Sequence, residues 1–393
     1  MSHIVFDVVD IVFGEAHKEA LRLLDKGGTR EEILKSAGAV IGVADASLTV
    51  EEGEICVLMG LSGSGKSTLL RAVNGLNKVS RGKVMLKHRG AMVDIAKIDA
   101  DTLRAVRTES VAMVFQQFAL LPWRTVKDNV GFGLELKGMS KAERDAIVDQ
   151  KLKMVQLDSW AQKYAHELSG GMQQRVGLAR AFATDASLLL MDEPFSALDP
   201  LIRTKLQDEL LLLQKNLKKT ILFVSHDLDE AMKLGNRIAI MEGGRIVQWG
   251  TPEDIILRPA NDYVAEFVAY MNPLNVVKAR SIMRPLAQCA RDGDCYFIDE
   301  ERKASIYVNA SGKALSAKIN DVAAPLLRVE ADGVIPNTAK HGIAIASPEI
   351  TLKTAIALRQ TSGHGLGLVD ADGRLIGLCD DSDLFGGLLR EKR

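Results

Sequence analysis

The chain opens on a β-branched, apolar run, residues 4–13 (IVFDVVDIVF), which predicts a strand. Residues 15–37 switch to helical spacing, with Ala20, Leu21, Leu23 and Leu24 on one face. Within that stretch Thr29 and Glu32 make a capping box, so a second short helix begins there and is closed by Gly38. The next segment, GVADASLTVEEGEICVLMG, alternates and then turns wholly apolar. It reads as a strand, a Glu-Gly turn and a buried strand ending at Gly60. Residues 66–75 carry a helical pattern, and 141–185 are mostly helical. Short apolar runs at 186–192 and 220–225 each adjoin a helical stretch. Strands alternating with helices predict an α/β core around a parallel sheet.

Near residues 270–280 the pattern changes, at YMNPLNVVKARSIMRPL. The C-terminal stretch is sparser in long helices and richer in small loops. Two regions are expected, 1–272 and 277–393. A length of 393 residues suits two or three domains. No internal repeat is visible.

Composition narrows the field. Lysine plus arginine number 50 and aspartate plus glutamate 51, a net charge of -1, which argues against a nucleic-acid binder working by bulk charge. The 47% apolar and 26% charged fractions are those of a globular protein with a core. Cys56, Cys289, Cys295 and Cys379 form no CxxC pair and lack nearby histidines, which disfavours zinc and a disulfide framework. The N-terminus has acidic residues within its apolar stretch and no basic leader, and no apolar run approaches the ~20 residues needed to span a bilayer.

The main chemical signal is residues 60–67, GLSGSGKS, a GxxxxGK[ST] pattern between a buried strand and a helix. Gly60, Leu61, Ser62, Gly63, Ser64 and Gly65 would turn backbone N–H groups inward around phosphate oxygens, aided by the positive end of the helix behind. Lys66 would reach the β- and γ-phosphates, Ser67 would place its hydroxyl on Mg²⁺, and Thr68 would bond the α-phosphate. At 188–193 (LLLMDE) an apolar strand delivers Asp192 to hold the metal's water shell. Glu193 follows it as the candidate base for an attacking water. Between these motifs, LSGGMQ makes a second anion-binding helix start at Ser169, Gly170 and Gly171. One nucleotide does not need two cradles, which hints that the second serves another subunit's ATP.

In this order the motifs resemble those of the nucleotide-binding subunit of an ABC transporter, over about residues 4–270. The resemblance makes 60–67 the Walker A loop, Asp192 and Glu193 the Walker B pair and LSGGMQ the signature. It makes Asp199 part of the D-loop, His226 the switch histidine and Gln116 the Q-loop glutamine, which joins Ser67 and Asp192 at the metal. Phe13 sits where the family stacks an aromatic on adenine, or it serves the core; a long insertion follows it. Trp123 either meets a membrane partner or simply packs. Catalysis then falls to Glu193, His226 and Lys66.

The insertion, together with FQQFALLPWRTV and MDEPFSALDPLIRTKLQDEL, is similar to quaternary-amine importers for glycine betaine, proline and choline, and nearest to the choline branch. Residues 281–286 resemble the opening of a CBS motif, and 366–389 its ending, with a hairpin at Asp372 and Gly373. Asp380 stands where a nucleotide-binding CBS motif has threonine, with Asp383 retained; a carboxylate there would repel phosphate. A small dimerising or stabilising domain is the other reading of this region.

The resemblance therefore implies an α/β fold: a P-loop ABC ATPase domain, with a mixed sheet and a helical subdomain, then a small α+β CBS-like domain. It implies ATP and Mg²⁺ as cofactors, a head-to-tail homodimer, a transmembrane permease and, indirectly, a periplasmic or lipid-anchored substrate-binding protein. It implies no nucleic acid, and a peripheral location on the cytoplasmic face of a bacterial inner membrane. An importer ATPase for another small solute, a soluble non-transport ABC ATPase and a regulatory nucleotide-binding module are the alternatives.

Overall fold

The structure, a computed structural model, describes residues 1–269, 271–329 and 342–389. Tyr270 in the expected linker, and 330–341 and 390–393 in the C-terminal region, lie outside the described residues. The chain divides into two compact units, Met1–Thr251 and Pro252–Arg393. The break falls earlier than the change in composition, because two short helices beyond Thr251 group with the second unit.

The first unit runs β1 (Ser2–Phe13), α1 (His17–Asp25), α2 (Arg30–Ala37), β2 (Val40–Glu51), β3 (Ile55–Met59), α3 (Lys66–Ala72), β4 (Arg81–His88), β5 (Ala91–Asp94), α4 (Ala100–Ala105) and β6 (Val111–Val114). It continues with α5 (Val126–Leu136), α6 (Lys141–Met154), α7 (Gly170–Ala183), β7 (Leu188–Asp192), α8 (Pro200–Leu217), β8 (Thr220–Val224), α9 (Leu228–Leu234), β9 (Arg237–Glu242) and β10 (Arg245–Gly250). Among the described residues these strands form two sheets. One is antiparallel, in the order β2-β1-β4-β5. The other follows β10-β9-β3-β8-β7-β6, with only β10 antiparallel to its neighbour.

The wholly apolar strands explain that second sheet. Every residue of β3, β7 and β8 is buried, as covered parallel strands require. Ile4, Phe6, Val9 and Ile11 of β1 share one core with Leu58, Leu190, Leu222 and Leu69 of α3, so the two sheets pack about this helix. The insertion between β1 and β2 has its own small core, in which Ala20, Leu24 and Ile33 meet Val12 and Ile41. Its second helix starts at the Thr29–Glu32 capping box and stops at Gly38, in left-handed conformation. Helices α5, α6 and α7 pack on one another as the helical subdomain.

The second unit begins with α10 (Pro252–Leu257), α11 (Asp262–Val268), α12 (Ala279–Ile282) and β11 (Arg284–Pro285). A five-stranded antiparallel meander comes next: β12 (Arg291–Asp292), β13 (Cys295–Phe297), β14 (Ala304–Val308), β15 (Ala314–Ile319) and β16 (Val322–Ala324). Then come β17 (Leu326–Val329), β18 (Ile343–Ala346), α13 (Leu352–Ser362), β19 (Leu366–Val369), β20 (Leu375–Cys379) and α14 (Asp381–Leu389). The sheet order is β11-β20-β19-β18-β17, with β17, β18 and β19 parallel. The turn between β19 and β20 holds Gly373 at φ 79°, a conformation glycine adopts without strain. All four cysteines are buried and none is in a disulfide.

Candidate nucleotide site

Strands β3, β8, β7 and β6 lie side by side and parallel, so the loops leaving their C-terminal ends converge. Residues 60–65 leave β3, Ser225 and His226 leave β8, Glu193 leaves β7 after Asp192, and Gln116 follows β6. Four motifs far apart in sequence thus meet at one sheet edge because each follows a buried strand.

The loop at 60–65 is a cradle that side chains would fill. A Cβ on Gly60, at φ 138°, would lie 2.1 Å from the Met241 carbonyl, and one on Gly65, at φ 100°, 2.4 Å from that of Gly42. Lys66 is buried at the start of α3. Its Nζ donates to the carbonyls of Gly60 (2.8 Å) and Leu61 (2.9 Å) and toward Ser64 Oγ (3.5 Å). Burial pulls its pKa down, opposed by the charges of Glu193 and Asp192. Ser62 and Gly63 complete the curve, with Gly63 at φ 77°.

Ser67 Oγ donates to Asp192 Oδ1 at 2.6 Å. Asp192 is wholly buried, and its other oxygen accepts from Arg71 Nη2 at 2.8 Å and Nε at 3.2 Å. A hydroxyl beside a buried carboxylate is an all-oxygen donor set, which fits Mg²⁺. The adjoining cradle of backbone N–H groups fits phosphate oxygens.

Glu193 takes φ 49°, uncommon outside glycine, where its N–H donates to Val224 O (3.1 Å). Strain of this kind costs ~1–3 kcal/mol and persists only where surroundings fix it. Here they do: its carbonyl accepts from Gln174 Nε2 (2.9 Å) and Ser196 Oγ (3.1 Å). Its carboxylate oxygen Oε2 lies 3.3 Å from Gln116 Nε2 and 3.3 Å from His226 Nδ1. The structure therefore brings Gln116, Glu193 and His226 together on one oxygen, with His226 63% exposed.

Phe13, 42% exposed, ends β1 opposite Val40. A Cβ added to Gly42 would lie 2.6 Å from its ring and 2.9 Å from the Thr68 methyl, so Phe13 and Thr68 face each other across Gly42 beside the loop. Ser169 caps α7, accepting from Met172 N–H at 3.4 Å, and is exposed with Gly170. Among the described residues, no hydrogen bond joins Ser169, Gly170 or Gly171 to the phosphate loop or Asp192. Asp199 caps α8, accepting from Ile202 N–H at 3.0 Å, with Pro200 at the first helical position.

Several supporting residues were not evident from sequence. Gln174 is buried; besides donating to Glu193 it accepts from Ala197 N–H (2.9 Å), tying the signature helix to both neighbouring loops. Arg71 closes the Asp192 pair from one turn beyond Ser67. Arg180 donates to the carbonyls of Ala119 (2.7 Å) and Phe118 (2.9 Å), both residues at positive φ in the loop after Gln116. Asn129 accepts from Leu121 N–H (2.8 Å) and shares Nδ2 among the carbonyls of Leu121, Arg124 and Thr125. Between these anchors Trp123 is 72% exposed. The only sequence signal was their place within or near the motif phrases.

A strand–loop–helix phosphate cradle, a hydroxyl–carboxylate metal pair and a carboxylate beside a histidine define a P-loop ATPase. Residues 43–196 match the ABC transporter family. The chain is 53% identical over 273 residues to the glycine betaine/proline betaine transport system ATP-binding protein ProV of Salmonella typhimurium, covering 70% of this chain and 67% of the relative. It is 46% identical over 306 residues to the glycine betaine/carnitine transport ATP-binding protein GbuA of Listeria monocytogenes, covering 77% of this chain and 76% of that one. Among solved structures it resembles the dimeric, post-hydrolysis ATP-binding cassette MJ0796 bound to ADP and Pi, with a TM-score of 0.55 and 30% identity over 63% of this chain and 98% of that one. The chain belongs to the ABC transporter family, in its quaternary-amine importer branch. Among the described residues no helix is long and apolar enough to cross a membrane.

Proposed function

We propose that this chain hydrolyses ATP to energise import of a quaternary amine of the glycine betaine type. The observation that carries this reading is the convergence of Gln116, Glu193 and His226 on one carboxylate oxygen, beside the Ser67–Asp192 pair. Lys66 would exchange its two loop carbonyls for phosphate oxygens, and Glu193 would orient the attacking water while His226 steadies it. Ser67 and Asp192 would hold Mg²⁺, with Gln116 nearby, and the metal would supply positive charge against the phosphates. The exposed Ser169 and Gly170, with the half-buried Gly171 beside them, suit the face of a second copy packed head to tail, and the dimeric state of MJ0796 supports that arrangement.

In this reading the loop from Gln116 to Trp123 meets a transmembrane permease, the chain sits at the cytoplasmic face of the membrane, and a substrate-binding protein acts through the permease. The names of ProV and GbuA support a betaine more directly than the choline suggested by sequence phrases. The β18–α13–β19–β20–α14 order of the second unit supports a CBS-like domain with a regulatory or dimerising role. Uptake of radiolabelled glycine betaine, choline and proline, in cells carrying the wild-type chain or Glu193→Gln, tests the proposal. Glycine betaine uptake that disappears with the variant is expected. Uptake of all three that ignores the substitution would overturn it.

A further inference from the structure

The insertion between β1 and β2 places a cation beside the nucleotide site. Arg30 opens α2, and Ile33 anchors that helix in the insertion's own core. Its guanidinium donates from Nε to Ile41 O at 2.6 Å, from Nη2 to Ile41 O and to Gly42 O (3.2 Å), and from Nη1 to Gly63 O at 2.9 Å. Gly63 belongs to the phosphate cradle. Gly42 is the residue that Phe13, Thr68 and Gly65 crowd. Arg30 thus stands where the aromatic end of the site joins its phosphate end.

Every one of these acceptors is a neutral backbone carbonyl. Among the described residues Arg30 has no carboxylate partner, and the nearby Glu32 is engaged with Thr29 in the capping box. Burial lowers the Arg30 pKa, with no acidic group raising it. Half-buried charges are normally paired, because water no longer solvates them fully. Here the fork is fixed in place while its charge stays uncompensated.

We infer that Arg30 is a positioning residue for the nucleotide: it fixes the Gly63 end of the phosphate cradle, and the phosphates of the bound nucleotide supply its missing counter-charge. The inference rests on the ATPase reading above and adds the insertion to the nucleotide site. It makes the insertion responsive to whether that site holds a polyphosphate.

The test measures binding of AMP, ADP and ATP, each with Mg²⁺, to the full chain and to Arg30→Gln and Arg30→Lys. Gln keeps donors without charge, and Lys keeps the charge without the fork. Arg30→Gln should weaken ATP about tenfold, ADP less and AMP within about twofold, because the attraction scales with phosphate charge. Arg30→Lys should recover most of the ATP affinity, and the Arg–Gln difference should shrink at high salt. Equal losses for all three nucleotides, or no loss, would overturn the inference. Should Arg30→Gln unfold, hydrogen exchange in the wild type decides: ATP, and not adenosine, should slow residues 30–42. No difference between the two ligands overturns the inference. Failure of the wild type itself to bind Mg-ATP would instead strike the ATPase reading.

Discussion

Each unit of this chain gathers carboxylates near the C-terminal end of a strand and brings an arginine to them, yet the two arrangements differ in kind. In the first unit Arg71 takes one oxygen of Asp192, Ser67 takes the other, and Glu193 beside it stays open to Gln116 and His226. In the second unit Arg284 lies between both acids, 2.6 Å from Asp380 and 3.0 Å from Asp383. Those two acids also cap α14 reciprocally, Asp380 N–H to Asp383 at 2.7 Å and Asp383 N–H to Asp380 at 3.1 Å. Burial would lower the Arg284 pKa, but the charges of Asp383 and Asp380 outweigh it and raise it. Acidic residues at a strand end make a site when glycine-rich backbone opens beside them and one acid is left outside the arginine pair, and a structural clamp when a single arginine pairs them both.

The sharpest way to break this comparison is to change the open acid. Glu193→Gln should keep Mg-ATP binding and lower turnover by ~10²–10⁴-fold, as loss of a general base does. Size-exclusion chromatography with Mg-ATP should then show a dimer for the variant and mainly monomer for the wild type. Turnover within threefold of wild type would sink the role given to Glu193.

The clamp should respond differently. Arg284→Met leaves two acids facing each other, Asp383 without exposed surface, and should destabilise the second unit by ~3–5 kcal/mol. Urea unfolding of the full chain should show an early transition, with ATPase activity below it within about twofold of wild type. An unchanged unfolding curve would mean that the arginine is not what holds those acids.

A smaller effect is expected from Gln174→Ala. The Ala197 N–H then loses its acceptor, at ~1–3 kcal/mol, and the backbone on either side of Glu193 loosens. The turnover number should fall while nucleotide affinity holds. Steady-state kinetics showing the reverse split would contradict a link between the signature helix and Glu193.

Smallest should be the effect of removing the second unit. Chains ending at Thr251 and at Asn272 separate the two boundaries, one from compactness and one from composition. Both should keep Mg²⁺-dependent ATPase activity within about twofold, since every candidate phosphate contact lies between Phe13 and His226. If only the longer chain is active, helices α10 and α11 serve the first unit; if neither is, the units depend on each other to fold.

The sequence made much of this legible, for a physical reason. Phosphate binding needs glycines and a lysine at fixed spacing on one continuous segment, and buried parallel strands need unbroken apolar runs. Both leave linear traces, as do the Thr29–Glu32 box and the turn at Gly373. Arg30, Arg71, Gln174 and Arg284 leave none beyond, for some, a place within or near a motif phrase. Each acts through a partner distant in sequence, such as Arg284 with Asp383, and each is an ordinary polar residue until folding supplies that partner. The five-stranded meander was likewise hidden, because its strands are as short as the two residues of β12 and too brief for alternation to register.

The loop between Gln116 and Trp123 is fastened to the helical subdomain at both ends: Arg180 grips the carbonyls of Phe118 and Ala119, and Asn129 grips Leu121, Arg124 and Thr125. A segment pinned so closely has little compliance. On the proposed function, a shift of Gln116 that accompanies a change at Glu193 would not be absorbed by slack along the way; it would move the loop and its helices as one lever, with Trp123 near the working end. Stiffness here would then set the stroke: a softened linkage would burn ATP at the same rate and deliver less movement for each molecule spent.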